Sequence, residues 1–79
     1  MIQTGKLTAP RRLEFREGSS SKFWEVQREG QEVVIQFGRI GTRGQSVRKP
    51  FPTTAAAEQH LQQLIQQKIA KGYVEVSAS

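Results

Sequence analysis

The sequence predicts an α+β fold, in which a small antiparallel sheet of four to five strands packs one face against a single α-helix. The segment from Arg11 to about Phe51 is rich in β-branched and aromatic residues interrupted by glycine, which favours strands. The segment from Thr53 to Lys71 is rich in Ala, Gln, Leu and Lys and lacks Gly and Pro, which favours a helix. Because 79 residues admit only one core, the two segments must pack together as two layers.

Four strands are expected before the helix, at Arg12 to Arg16, Lys22 to Glu29, Gln31 to Ile40 and Gln45 to Phe51. In the first strand, Leu13 and Phe15 alternate with charged residues, as in a strand with one buried face. In the second, Trp24 and Val26 share one face, and Phe23 lies on the other. A glycine and three serines separate these two strands and are typical of a turn.

The third strand has the strongest pattern, with Val33, Ile35 and Phe37 on one face. A glycine-centred turn at residues 29–31 joins it to the second strand as a hairpin. Another glycine-rich turn joins it to the fourth strand, whose main apolar residue is Val47. The first four strands are therefore expected to form a meander.

The helix is expected to begin just after Pro50 and Pro52, because proline cannot donate to a sheet ladder. Thr53 or Thr54 is suited to cap its first turn. An apolar stripe at helical spacing follows, made of Ala57, Leu61, Leu64, Ile65 and Ile69. Five glutamines lie mostly outside this stripe, so the helix presents one apolar face to the sheet.

The end of the helix carries signals of its own. Lys68 and Lys71 suit the negative pole of the helix dipole, and Gly72 is well placed to leave the helix in a left-handed conformation. The alternating residues Tyr73 to Val76 predict a last strand. The single histidine, His60, lies beside the apolar stripe and is interpreted as a boundary residue without a catalytic role.

We expect one domain over residues 12–77, preceded by a flexible arm at residues 1–11 and followed by a tail at residues 78–79. The first twelve residues lack the apolar run of a signal peptide. No stretch approaches the roughly 20 apolar residues of a membrane span. These features predict a soluble, cytoplasmic protein without a membrane partner, and we expect it to be a monomer.

The net charge of +5 is distributed unevenly. Residues 51–79 are neutral, so the excess belongs to the first fifty residues, and the helix half is interpreted as scaffold. No acidic residue lies between Val33 and Ala57, whereas four basic residues do: Arg39, Arg43, Arg48 and Lys49. A basic surface of this kind indicates nucleic acid as a partner, and a solvated face without a ligand is the alternative.

The side chains that enzymes depend on are scarce in this sequence. It contains no Cys, no Asp and one His, which excludes a disulfide scaffold and a thiolate zinc site. The loop serines have no evident base, and no glutamate pair is placed in a pocket. We therefore expect neither catalysis nor a cofactor nor a bound metal.

A glycine-rich segment at residues 37–45, FGRIGTRGQ, carries the most specific pattern. It resembles the signature of the WGR domain family, named for a Trp-Gly-Arg triplet, with Phe37 in place of the tryptophan. The aromatic strand at residues 22–27 and the sequence Lys-x-x-Lys-Gly-Tyr at residues 68–73 resemble two further motifs, the latter typical of the stand-alone bacterial members. The resemblance extends from Leu13 to Val76, which is nearly the whole chain.

The resemblance implies the same sheet-and-helix fold, and it implies a function. WGR domains occur in the poly(ADP-ribose) polymerases that sense DNA damage, where they bind DNA near a break and contact neighbouring domains. There the tryptophan of the motif stacks near the terminal sugar and base, and its arginine makes polar and interdomain contacts. Those roles would fall here on Phe37 and Arg39, with DNA expected in preference to RNA and breaks or ends as its target.

The residues predicted to bind nucleic acid follow the glycine-rich hairpin: Phe37, Gly38, Arg39, Thr42, Arg43, Gln45, Arg48 and Lys49. Structural roles compete at several positions. Phe37 lies on an apolar face and is equally suited to the core, Arg39 is suited to pair with a glutamate inside the fold, and Trp24 is more typical of a core residue than of a ligand platform. The alternative function is a protein-interaction module that docks another domain or subunit.

Overall fold

Five strands and one helix follow one another along residues 10–76, the part of the chain that the computed structural model describes. Their bounds are β1 (Arg11–Glu17), β2 (Ser20–Glu29), β3 (Glu32–Arg39), β4 (Gln45–Pro50), α1 (Thr54–Ala70) and β5 (Val74–Val76). The strands form one antiparallel sheet in the order β4-β3-β2-β1-β5. The predicted α+β class, with one helix on a five-stranded sheet, is confirmed.

The ends of the chain differ slightly from the expected division. Arg11, assigned above to the arm, is the first residue of β1, where it pairs with Val26. The rest of the expected arm that precedes residue 10, together with residues 77–79, lies outside the described residues. Within the described range, no helix is long and apolar enough to cross a membrane.

One face of the sheet packs against α1, and we call it the helix face. Cross-strand pairing places Leu13, Trp24 and Phe37 side by side on this face. The core fills the space between it and α1, and its buried members are Leu13, Trp24, Val26, Val33, Ala57, Leu61 and Ile65. Ile35, Phe51, Leu64 and Tyr73 pack against this core from its margin.

The ends of the helix follow the expected chemistry. Thr53 is the N-cap, and its hydroxyl oxygen accepts a 3.0 Å hydrogen bond from the amide of Ala56. Gly72 leaves the helix at a φ of 105°. Its amide donates to the carbonyl of Ile69, and the amide of Tyr73 donates to that of Lys68, which satisfies two free carbonyls of the last turn.

The expected apolar stripe is wrong at its last position, because Ile69 is 44% exposed. An α-helix turns by about 100° per residue, so residues four apart drift by about 40° each step. From Ala57 to Ile69 the drift is about 120°, whereas Lys68 lies only about 20° from the direction of Ala57. Lys68 rather than Ile69 therefore continues the line that faces the sheet.

The other face of the sheet carries no helix, and we call it the open face. Phe23 is only 3% exposed on this face, although the residues that share the face with it on β2, Ser21 and Glu25, are polar. The guanidinium of Arg12 covers its ring, with the Cζ atom 4.5 Å from the ring centroid. Glu14 and Glu25 hold Arg12 in that position through ion pairs of 2.9 and 3.6 Å. A cation and two carboxylates thus shield this aromatic ring in place of a second layer.

Candidate nucleic-acid interface

A groove with a volume of about 330 Å³ opens on the helix face, and we call it the aromatic groove. Residues from β2, β3, β4 and α1, and Tyr73 just before β5, line it: Lys22, Phe23, Trp24, Ile35, Phe37, Gly38, Val47, Lys68 and Tyr73. Its lining is mostly apolar, with the basic groups of two lysines among the rings. Such a groove is suited to a ligand that has both a flat apolar part and negative charge.

Phe37 forms an accessible wall of the aromatic groove, which answers the question left open by the sequence. It lies on the helix face beside Trp24, yet 37% of its surface is exposed. Trp24 is a core residue, as expected, with 5% exposure, and it contributes only part of its ring to the groove. Val47 on β4 extends the apolar wall and is 48% exposed.

Cations and aromatic rings alternate along one side of the groove. The ammonium of Lys22 lies 5.4 Å from the ring centroid of Phe15, whose ring lies 5.3 Å from that of Tyr73. The ammonium of Lys68 lies 5.3 Å from the Tyr73 ring and 5.6 Å from the Trp24 ring. Cation–π attraction thus fixes two positive charges on a rigid aromatic support.

The electrostatics of Lys68 favour an incoming anion. Partial burial lowers the pKa of Lys68, and the charges of Lys71 and Lys22 lower it further. The protonated ammonium therefore carries an unfavourable energy in the free protein. A negative ligand in the groove would relieve it.

The ion pairs of residues 10–76 divide the charges into two groups. Every glutamate except Glu17 is paired with an arginine, and the arginines so engaged are Arg11, Arg12, Arg16, Arg28 and Arg48. Within the same range, six cations have no carboxylate partner: Lys22, Arg39, Arg43, Lys49, Lys68 and Lys71. Two of these line the aromatic groove and two more belong to the adjoining end of β3 and its turn, so uncompensated charge is concentrated there.

The glycine-rich hairpin depends on two glycines that face each other. A Cβ atom on Gly38 would lie 2.7 Å from the Cα atom of Gly44. A Cβ on Gly44, whose φ is 72°, would overlap the carbonyl of Phe37 and lie 3.0 Å from the ring of Phe23. The first and last glycines of the segment therefore let the turn fold back onto β3, and the turn helps to bury Phe23.

The predicted site residues near the turn divide into exposed and structural ones. Gly38 lines the groove, and Arg39 lies at the end of β3 without an ion pair among residues 10–76. Thr42 is structural, because its hydroxyl donates a 2.7 Å hydrogen bond to the carbonyl of Arg39. The carbonyl of Arg43 accepts a 2.6 Å hydrogen bond from Gln36, and its guanidinium lacks a carboxylate partner within the described range. Gln45 pairs with Phe37 on the helix face.

Of the eight predicted residues, only Phe37 and Gly38 line the aromatic groove. The last two, Arg48 and Lys49, lie on β4 and on opposite faces of the sheet. Arg48 projects from the open face, where one guanidinium nitrogen lies 2.9 Å from Glu29 and 2.8 Å from Glu32. The hydrogen bonds that Arg48 donates to these two carboxylates raise its pKa. Lys49 is on the helix face but outside the groove lining, with its ammonium 5.8 Å from the ring centroid of Phe51.

Sequence reasoning missed the basic side of the groove. Residues 51–79 are neutral by count, but Glu58 pairs with Arg28 and Glu75 pairs with Arg11, both in the sheet half. The two acids of this segment thus pair with arginines of the sheet half. Its two lysines are left without a carboxylate partner within residues 10–76. The pattern Lys-x-x-Lys-Gly-Tyr was the one available signal, since it contains Lys68 and Tyr73 of the groove.

The described residues contain no cluster of three or more His, Cys, Asp or Glu side chains that could hold a metal ion. His60 packs its ring against Phe51, with centroids 4.9 Å apart, as expected for a boundary residue.

Comparison with known proteins agrees with this geometry. The model of the WGR domain family matches residues 9–79. The chain is 43% identical to protein YehF of Escherichia coli (strain K12) over 61 residues, which are 77% of this chain and 22% of that protein. It is 29% identical to YfeS of the same organism over 65 residues, covering 82% of this chain and 27% of that one.

A crystal structure of a Bacteroides fragilis protein has the same fold, with a TM-score of 0.85 and 36% identity over 87% of this chain and 20% of that one. The chain spans about a fifth to a quarter of the length of these relatives. The family match covers the whole sheet and helix described above, including the glycine pair and the lysine–aromatic side of the groove. The chain belongs to the WGR domain family.

Proposed function

We propose that the protein is a non-catalytic, monomeric module that binds nucleic acid in the cytoplasm, with DNA preferred over RNA and ends or breaks as its target. One observation carries this proposal: cations without carboxylate partners surround an exposed aromatic groove, while the glutamates of residues 10–76 are almost all paired elsewhere. Arginine and lysine side chains of this kind are suited to phosphate oxygens.

The shape of the groove supports ends over the interior of a duplex. Inside a duplex, neighbouring base pairs stack on both faces of each base, so no flat face is free. At an end or a break, the terminal sugar and base expose an apolar face. Phe37 offers an exposed ring to such a face, and a stacking contact of this type contributes ~1–3 kcal/mol.

An NMR titration of the protein with a blunt duplex, a nicked duplex and a single strand tests the proposal. We expect amide shifts along β3, the hairpin turn and the groove, larger for the DNAs with accessible ends than for a closed circular duplex of equal base-pair concentration. Binding that is unmeasurable at low salt, or equal shifts for closed and open duplexes, would contradict the proposed function or its preference for ends, respectively.

Arginine variants test the site itself. We expect Arg39→Ala and Arg43→Ala each to weaken duplex binding by roughly tenfold, because each removes a charge-assisted contact worth about 1.5 kcal/mol. Arg48→Ala is the matched control, since it removes the same charge from the open face. Fluorescence anisotropy with a labelled blunt duplex measures all three. Equal losses in the three variants would show that total charge, rather than this site, determines binding.

A protein-interaction module is the second candidate function. The observation that favours it is the length comparison, because the match covers only about a fifth to a quarter of each relative and the rest of such a protein is a candidate for the contact. The glutamine-rich surface of α1, formed by Gln59, Gln62, Gln63, Gln66 and Gln67, offers hydrogen bonds without charge for such a contact. Co-purification of a protein that survives nuclease treatment and high salt would favour it.

A further inference from the structure

Strand β4 forms one edge of the sheet, and no strand of residues 10–76 pairs with its outer side. Every residue of β4 is exposed, because α1 packs mainly against β2 and β3. An exposed edge strand has unpaired main-chain donors and acceptors, which can pair with an extended segment of another polypeptide. We call the outer side of β4 the β4 edge.

The hydrogen bonds of the sheet show which main-chain groups of the β4 edge are free. The amide of Phe51 donates a 2.9 Å hydrogen bond to the carbonyl of Gln31, which lies opposite it when the β3–β4 register is continued by one pair. In an antiparallel pair, residues that bond to the partner strand alternate with residues that point away from it. The N–H and C=O groups of Ser46 and Arg48, and the carbonyl of Pro50, therefore point outward.

The residues of the β4 edge restrict what can pair with it. Pro50 has no N–H to donate, so only Ser46 and Arg48 offer both main-chain groups to an added strand. Val47 lies between them and is exposed on the helix face, where a side chain of the added strand would lie directly beside it. The edge is therefore suited to a short extended segment with an apolar residue at its centre.

The charge around the β4 edge favours an acidic partner. Arg43 in the preceding turn and Lys49 on β4 have no carboxylate partner within residues 10–76. No acid lies between Val33 and Ala57, so a second copy of β4 would bring like charges together at this edge. Glutamates of an added strand would instead lie near these cations, and opposite charges on adjacent strands stabilise a sheet.

We propose that the β4 edge binds an extended acidic peptide segment as a sixth strand of the sheet, with an apolar residue of that segment beside Val47. The main-chain groups of Ser46 and Arg48 supply the hydrogen bonds, and the cations of β4 and its turn select the acidic sequence. This inference goes beyond nucleic-acid binding, because pairing along a strand requires a polypeptide backbone. Its test uses no DNA, so its outcome is independent of the proposed function.

Amide hydrogen exchange followed by NMR tests the proposal, with the acetylated and amidated peptide Thr-Glu-Glu-Val-Glu-Glu-Thr as the probe. In the free protein, we expect the amides of Ser46 and Arg48 to exchange faster than those of Val47 and Lys49, which bond to β3. The peptide should slow exchange at Ser46 and Arg48 by about tenfold when nine-tenths of the protein is bound. Unchanged exchange at the highest soluble peptide concentration would refute the proposal. Protection that appears on raising the protein concentration alone would assign the edge to a second copy instead.

Modified peptides separate strand pairing from charge attraction. With the central valine beside Val47, the N–H groups of the two adjacent glutamates face β4, whereas the N–H of the valine faces solvent. N-methylation of these two glutamates should therefore abolish binding, and N-methylation of the valine should leave it unchanged. Equal binding of both methylated peptides would show that charge alone attracts them and would overturn strand pairing. The peptide with lysines in place of all four glutamates should not bind.

A matched pair of substitutions tests the same contact from the side of the protein. Ser46→Pro removes an outward N–H that does not bond to β3, and it should weaken peptide binding by about tenfold. Ser46→Ala keeps that N–H and should bind like the parent. Equal affinities of the two variants would contradict the assignment of Ser46 to the pairing edge.

Discussion

At the scale of single residues, the close packing of the glycine-rich hairpin depends on two glycines that have no Cβ atom. Gly38 and Gly44 bring two backbone segments so close that neither position has room for a Cβ atom. Gly41, at the tip of the same hairpin, has a φ of 96° but open space around it. The sequence gives no reason to distinguish the three glycines. The structure shows that Gly38 and Gly44 are required for close backbone packing, whereas Gly41 is required for its positive φ.

This difference predicts unequal costs of alanine substitution. Gly41→Ala should lower the free energy of unfolding by about 1–2 kcal/mol, which is the cost of a left-handed conformation for a residue with a side chain. Gly44→Ala should lower it by clearly more than about 2 kcal/mol, since the overlap with Phe37 is added and the cover over Phe23 is disturbed. Urea unfolding of both variants measures the difference. Equal losses would mean that the close approach of Gly44 to Phe37 does not contribute to the cost of substitution.

At the scale of elements, periodicity and turn chemistry were sufficient to predict all five strands and the helix, with bounds within two residues of those observed. The alternation of Leu13 and Phe15, and of Val33 and Ile35, indicated the helix face correctly because one face of each strand is buried. The last turn of α1 could not be assigned in the same way, because apolar residues four apart drift around the helix. Because of that drift, Lys68 rather than Ile69 faces the groove. A rule that only looks for apolar residues three or four apart does not predict this.

The N-cap of α1 allows a direct test of how the start of the helix is stabilised. Thr53→Ala should lower the free energy of unfolding by about 1 kcal/mol, because the amide of Ala56 loses its hydrogen-bond acceptor. Thr54→Ala, the neighbouring substitution inside the helix, should be neutral or slightly stabilising, since alanine has the higher helix propensity. Thermal unfolding of both variants tests the assignment, and a larger loss for the Thr54 variant would contradict it.

The ion pairs of the open face predict a pH dependence. A hydrogen bond from Arg12, helped by the charge of Arg16, lowers the pKa of Glu14 from its ordinary value of 4.5, although burial opposes the shift. Because the folded pKa is the lower one, ionised Glu14 stabilises the fold above the ordinary value, and this contribution is lost as the pH falls through the folded pKa. Glu14→Gln should therefore be less stable than the parent at pH 7, with a difference that shrinks below about pH 5. A difference independent of pH would contradict this assignment.

At the scale of the whole molecule, the partition of charge explains why the site was only partly predictable. The signature makes Phe37, Gly38 and Arg39 consecutive, and the structure places the first two in the lining of the aromatic groove and Arg39 at the end of β3. It assigns Arg48 to the same surface, although Arg48 belongs to the open face with Glu29 and Glu32. Adjacent residues of a strand point to opposite faces, and carboxylates distant in sequence decide which cations stay unpaired.

The salt dependence of DNA binding follows from this partition. Lys22 and Lys68 line the aromatic groove, Arg39 and Arg43 belong to the end of β3 and its turn, and none of the four has a carboxylate partner within residues 10–76. If they contact three to four phosphates, the logarithm of the association constant should fall with the logarithm of salt concentration at a slope of about −3 to −4. Anisotropy titrations over a range of salt concentrations measure this slope. A slope near zero would rule out phosphate contacts as the source of affinity.

Trp24 has a consequence for how the protein is studied. It is the single tryptophan of the chain, almost fully enclosed, and one part of its ring contacts the groove beneath the ammonium of Lys68. Indole emission is sensitive to a nearby charge and to the polarity of its surroundings. A ligand that draws Lys68 away from the ring would therefore change the fluorescence of the unlabelled protein. The fold thus contains its own optical probe at the place where a ligand is expected to enter.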